Sequence, residues 1–278
     1  MSETLMREAF FLTDAGQHLF CIHRKPATAS RGAVLLVPPF AEELNRSRRM
    51  LAVASERFAE AGWETLQLDL MGCGDSDGDF EDASWDIWLS NLQKAFDRLS
   101  NSVRGPIVLW GLRAGCLLIC DWLRASQRDT GVAGVLFWQP VASGRQHLTH
   151  FLRLKALSES AEPEHGSVVK AARARLQMGG YVDVAGYRIG SLLATGLERA
   201  DLELSDAFHG RVGLVEASAK RQEELSPVIG NHAVRWRSRG LAVDTHLVQG
   251  PAFWLTQEIT QAPLMIDASV AYLDTLCQ

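Results

Sequence analysis

Along the chain, short runs of consecutive apolar residues alternate with longer stretches whose apolar residues recur every three or four positions. The runs at residues 33–37 (AVLLV), 65–69 (TLQLD), 107–110 (IVLW), 132–138 (VAGVLFW), 211–216 (RVGLVE) and 242–248 (AVDTHLV) predict strands. Most are apolar throughout, as a strand must be when helices cover both of its faces. The stretches at 48–62, 84–99, 114–124 and 261–276 have helical spacing. The second opens on Ser84, a good N-cap, and the first stops at Gly62. This alternation predicts a mostly parallel central sheet with helices on both faces. The start of the chain departs from it: residues 10–12 and 17–23, separated by Asp14-Ala15-Gly16, predict an antiparallel hairpin leading into the sheet.

A second departure runs from residue 144 to residue 209. It is richer in charge, with helical stretches at 148–158 and 168–177, a hairpin around 181–187 and a helix at 189–199. The expectation is an α/β core built from residues 1–143 and 210–278, with 144–209 inserted as a cap. Such a cap would lie over the carboxyl ends of the strands, the face on which open α/β sheets bind ligands.

Composition narrows the class. The 278 residues are 47% hydrophobic and 22% charged, the balance of a globular domain able to bury a sizeable core. A net charge of −5 argues against nucleic acid as a partner, since phosphate binding calls for a basic excess. Five scattered cysteines without C-x-x-C spacing (Cys21, Cys73, Cys116, Cys120, Cys277) argue against a disulfide frame or zinc site, and no metal or cofactor is expected. The first residues, MSETLMREAFFLTD, lack a basic region followed by an apolar core, and no run approaches the roughly 18 apolar residues of a membrane span. A cytoplasmic protein without a membrane span is expected.

The chemistry concentrates in LWGLRAGC, residues 109–116. A strand, a glycine-framed turn and an apolar helix follow one another as in the nucleophile elbow G-x-S-x-G. Arg113 stands where the serine should be. A guanidinium keeps its proton and has no lone pair for an acyl carbon. The loop after residues 33–37, PPFAEELNRSRRM (38–50), is where an oxyanion-hole N–H would be supplied. Pro39 has none to give, but Phe40 or Ala41 could donate. Glu42 and Glu43 follow at the strand end, directed toward Arg113, with Asn45, Arg46, Arg48 and Arg49 beyond them. DLMGCGDS (69–76) has the pattern of a structural turn in which Asp69 and Ser76 satisfy backbone groups.

A triad needs an acid and then a histidine further along. Glu216 ends its strand and supplies an acid, but the last loop reads Gly250-Pro251-Ala252-Phe253-Trp254, with Phe253 in the place of the base. His232 and His246 read as structural, His209 lies at the wrong end of its strand, and His147 and His150 fall in the cap. Cys116, one turn into the helix, is the nearest thiol, and Arg113 together with the helix N-terminus would favour its thiolate.

Taken together, PPFAEELNRSRRM, DLMGCGDS, LWGLRAG, FWQPVASG and GGYVDVAGYRIG resemble the exosortase A system-associated hydrolase family, type 2. The resemblance spans most of the chain. It implies an α/β-hydrolase fold and a setting among bacterial exopolysaccharide and protein-sorting functions. Ester hydrolysis is not implied, because two of three triad positions are lost. Two readings then fit the residues. In one, the protein binds a small anionic, acyl or saccharide ligand without turning it over. In the other, an acyl hydrolase or transferase works through Arg113 as oxyanion holder, Glu43 or Glu42 as acid or base and Glu216 orienting the arginine, or through Cys116. In both, Arg113, Glu43 and Glu216 form the centre, and Phe40, Glu42, Asn45, Arg48, Leu112, Gln139, Phe253 and Trp254 are candidates for touching the ligand.

Overall fold

The computed structural model describes residues 5–14, 16–126, 130–159, 165–220 and 222–277. Residues 1–4, on which part of the targeting argument rests, and Ala15 of the predicted turn lie outside them. In chain order the elements are β1 (Met6–Asp14), β2 (Gln17–Lys25), β3 (Gly32–Val37), α1 (Glu42–Glu60), β4 (Trp63–Leu68), α2 (Trp85–Ser100), β5 (Ile107–Leu112) and α3 (Gly115–Ala125). There follow β6 (Val132–Trp138), α4 (Gly144–Glu159), α5 (His165–Gln177), β7 (Tyr181–Val184), β8 (Tyr187–Gly190) and α6 (Ser191–Arg199). The chain ends with β9 (Arg211–Ser218), α7 (Pro227–Ser238), β10 (Val243–Gln249) and α8 (Pro263–Asp274).

Eight strands form one sheet in the order β1-β2-β4-β3-β5-β6-β9-β10. The β1–β2 and β2–β4 pairs are antiparallel and the remaining pairs are parallel. The continuous apolar runs are explained by what each face meets. Val34, Leu36, Val108, Trp110 and Leu112 pack with Met50, Leu51 and Phe58 of α1 and Met265, Ile266 and Leu273 of α8. The alternate residues Ala33, Leu35, Val37 and Leu109 pack on the opposite side with α2, α3 and Trp236 of α7. Period-two alternation therefore separates two cores, and the central strands β3 and β5, covered on both faces, carry no polar side chain.

The structure differs from the sequence expectation most at α1, which begins at Glu42, six residues before the predicted start at 48. Ala41 precedes it with φ 52° and ψ −127°, a conformation a non-glycine residue rarely adopts. Two acids in the first turn suit the positive end of the helix. Glu42, Glu43 and Asn45 therefore sit on a rigid element and not on a solvated loop. The segment between β6 and β9 folds as α4, α5, the β7–β8 hairpin and α6, which contact one another. It reaches the rest of the molecule through α6 on α2 and through α4 above the end of β3. Among the described residues no helix is long and apolar enough to cross a membrane.

Candidate functional site

The turn between β5 and α3 has the shape its glycines suggested. A Cβ on Gly111 would lie 2.8 Å from the Cys116 backbone nitrogen, and one on Gly115 would lie 2.4 Å from the Val37 carbonyl oxygen. Both positions therefore need glycine for the helix to approach the strands. Arg113 itself has φ 55°, a strained value for a non-glycine residue that costs on the order of 1–3 kcal/mol. Its N–H donates to the Trp138 carbonyl at 3.0 Å, which ties the turn to the end of β6. Gln139, the residue that follows β6, is also left-handed at φ 41°. Three strained non-glycine residues, Ala41, Arg113 and Gln139, thus stand at the carboxyl ends of adjacent strands β3, β5 and β6.

The Arg113 side chain is held from three sides. Its Nε donates to Glu43 Oε1 at 3.2 Å and its Nη1 to the Gln139 carbonyl at 3.4 Å, and its guanidinium lies 5.6 Å from the centroid of Trp254. The pair is largely dry, with side-chain exposure of 17% for Arg113 and 7% for Glu43. Arg113 Nη2 makes no hydrogen bond to protein among the described residues. Burial pushes the Glu43 carboxyl up, an effect that exceeds the opposing pull of Arg113. Glu42 is raised as well, again by burial and also by Glu43. One oxygen of each, Oε2, is buried without a hydrogen-bond partner. His147 Nε2 lies 3.8 Å from Glu43 Oε2, and burial with Arg113 nearby lowers its pKa to about 3, so the imidazole is neutral.

These groups enclose a cavity of about 190 Å³. Phe40, Glu42, Glu43 and Arg113 line it from the core, His147, His150, Phe151 and Leu154 from α4, and Leu255 from the last loop. Among the described lining residues there is no serine, threonine, cysteine or lysine. Among the described residues no cluster of three or more His, Cys, Asp or Glu is arranged to hold a metal ion.

The sequence-selected residues divide. Arg113, Glu43, Glu42, Phe40 and Trp254 come together, and Gln139 joins them through its carbonyl while its side-chain oxygen accepts from Ala217 N–H at 2.8 Å. Glu216 does not orient Arg113: its carboxylate accepts from the N–H and the hydroxyl of Ser226, both at 2.7 Å, and so secures the entry to α7. Phe253 is fully buried against Trp138 and Trp254, so the place of the base is filled by core. Leu112 is likewise buried in the sheet. Asn45 donates to the Tyr187 hydroxyl at 2.8 Å, and Arg48 lies 3.6 Å from Asp69; neither lines the cavity. Cys116 is fully buried, and burial raises its thiol well above the usual range, outweighing Arg113, so the thiolate expectation is overturned. His232 is hydrogen-bonded to Arg235, and the turn at 69–76 is structural as expected, with Ser76 Oγ donating to the Asp69 carbonyl and accepting from Phe20 N–H.

Sequence reasoning gave the α4 face little weight. Its signal was nevertheless present: 147, 150, 151 and 154 are spaced i, i+3, i+4 and i+7, one face of a helix. Leu255 had no such signal, because its position depends on the path of the last loop.

No protein-family model and no curated protein matches the chain. Solved structures do. Est1E from Butyrivibrio proteoclasticus aligns over 96% of this chain and 98% of its own with a TM-score of 0.65 at 14% identity. Alpha/beta hydrolase domain-containing protein 10 from mouse aligns over 97% and 98% with a TM-score of 0.59 at 16% identity. A soluble variant of monoglyceride lipase from Saccharomyces cerevisiae aligns over 100% and 97% with a TM-score of 0.59 at 12% identity. With the mostly parallel eight-stranded sheet and its surrounding helices, these likenesses establish that the chain has the α/β-hydrolase fold.

Proposed function

We propose that the protein binds a small carboxylate-bearing ligand in the Arg113 cavity without cleaving an ester. The observation that carries this reading is the guanidinium in the nucleophile's position, with φ 55°, lining a cavity beneath α4 while Phe253 fills the place of the base. A hydroxyl or thiol without an adjacent base gains little nucleophilicity, and none lines this cavity among the described residues. Arg113 supplies the free Nη2 donors, and Glu42 and Glu43, each raised by burial, supply O–H donors when protonated. A carboxylate placed in the cavity meets the Arg113 charge at its wall. The volume, below the roughly 300–1,000 Å³ of sites for drug-sized ligands, suits one small acid or one sugar acid. Residues 144–209 act as the cap that encloses it. The family resemblance favours a building block of an exopolysaccharide pathway, and a solved structure of Est1E with bound ferulic acid favours an aryl acid.

A second reading has support from Glu43: with a raised pKa beside an oxyanion holder it has the character of a general acid or base, as an acyl hydrolase or transferase would need. Calorimetry with benzoate and with glucuronate, alongside turnover of p-nitrophenyl butyrate, separates the two. Binding of either acid that weakens at least tenfold in Arg113→Leu, and weakens as pH rises and Glu43 ionises, with no ester turnover, is the expected result. Failure of both acids to bind, or equal binding by Arg113→Leu, removes the binding reading. Turnover lost in Arg113→Leu and kept in Cys116→Ser establishes the catalytic one.

A further inference from the structure

A second arginine is buried away from this cavity. Arg24, on β2, is 3% exposed and makes no ion pair among the described residues. Its Nη1 donates to Gln67 Oε1, and its Nε is buried without a partner. Directly across the β1–β2 ladder stands Arg7, a like charge. Glu56 on α1 is the carboxylate that favours the Arg24 charge from a distance, while burial and Arg7 oppose it. A guanidinium remains protonated under these conditions, so the fold holds a desolvated cation without a paired counter-charge, an arrangement that is strongly unfavourable unless something neutralises it.

Arg24 lines a cavity of about 210 Å³ between α1 and the strands β2, β3 and β4. Its walls are aliphatic for most of their length: Ile22, Leu36, Leu44, Leu51 and Leu68. Phe20 lies four residues from Arg24 along β2, about 13 Å at the usual rise of a strand, beside the Arg48–Asp69 pair that closes the other end. None of its lining residues is shared with the Arg113 cavity.

We propose that this groove is a second, independent binding site, for a short aliphatic carboxylate whose head group meets Arg24 and whose chain lies along Ile22, Leu36, Leu44 and Leu51. A carboxylate at the cavity wall that Arg24 forms gives the buried charge a partner. An aliphatic body matches walls that offer no hydrogen bond. The Gln67 side chain, already engaged by Arg24, fixes the guanidinium in place before the ligand arrives.

Isothermal titration of the full chain with hexanoate, and with hexanol as the neutral probe of the same body, tests the assignment. Hexanoate is expected to bind, at least tenfold more tightly than hexanol, and to lose at least tenfold in Arg24→Gln. Because a core arginine can be needed for folding, Ala52→Phe is measured alongside. Ala52 is a half-buried lining position on α1, and a phenyl ring there fills the groove from its solvent side with the same expected loss. No binding by the wild-type chain, equal affinity for hexanol, or unchanged affinity in the folded variants each overturns the proposal; the last result would place hexanoate elsewhere.

Discussion

Arg113 keeps the backbone of a nucleophile and discards its chemistry. The strained φ survives because Gly111, Gly115 and the bond from Arg113 N–H to Trp138 fix the turn whatever the side chain. The side chain then redefines its surroundings: it draws in Glu43, and Glu43 brings His147 to 3.8 Å. His147 gives the most direct pH prediction. Its pKa is about 3 in the folded protein and about 6.5 in an unfolded chain. Between those values the unfolded state binds more protons, so stability rises with pH through this window and is lost as pH falls. At pH 5 the loss relative to pH 7.5 is about 2 kcal/mol, from about 1.4 kcal/mol per pH unit below 6.5. Glu43 works in the opposite sense. Raised by burial, it binds more protons when folded, and stability contributed by its neutral form is lost as pH rises from its unfolded value through its folded one. Comparing wild type with His147→Gln isolates the histidine: thermal melts should show the wild type losing more stability than the variant between pH 7.5 and pH 5. Equal losses would mean that His147 is protonated in the folded state.

At the scale of elements, the turn into α3 is the part that allows least change. A Cβ on Gly115 would meet two carbonyl oxygens, of Val37 at 2.4 Å and Pro38 at 2.7 Å, and backbone atoms cannot swing aside as a flexible side chain would. Gly115→Ala is therefore expected to cost about 1–3 kcal/mol or slightly more, read as a lowered midpoint in urea with the slope unchanged; a midpoint within error of wild type would show that α3 can shift without penalty. This turn was readable in the sequence because it is written in glycine spacing and flanked by an apolar strand and helix. The central strands β3, β5 and β6 were readable for a related reason, since residues packed against helices on both sides leave no polar positions. The start of α1 was not. Two prolines followed by charged residues look like a loop, and the helix starts at Glu42 through a left-handed Ala41, which only tertiary contacts can hold. Glu216 was misread for a similar reason: sequence places an acid at a strand end, but its partner, Ser226, is chosen by the path of the following loop.

At the scale of the molecule, the site exists because two parts meet. The core supplies Arg113 and Glu43 and was legible as alternating strand and helix. The inserted segment supplies the α4 face, whose contribution emerges only when α4 is laid over the end of β3. The contact is aromatic: Phe151 of α4 sits edge-on to Phe40 at 5.1 Å, and Phe40 in turn touches Phe80, Trp88 and His147. Elsewhere the segment is anchored by α6, where Gly196 lies so close to Trp85 that a Cβ would approach to 2.1 Å, and by Arg124 reaching Asp201 and the Glu203 carbonyl. Phe151→Ala removes a buried ring from the first contact and leaves the second intact. The expected cost is about 3–5 kcal/mol, and it should fall unequally because local openings need not involve the whole fold. Hydrogen exchange should accelerate in α4 while β5 and β6 keep their protection. The Arg113 cavity, deprived of one wall, should then lose affinity for the carboxylate proposed to bind there although Arg113 and Glu43 are untouched. If exchange instead rises equally through β5 and β6, the inserted segment and the core form one cooperative unit, and closing the cavity is inseparable from folding the sheet beneath it.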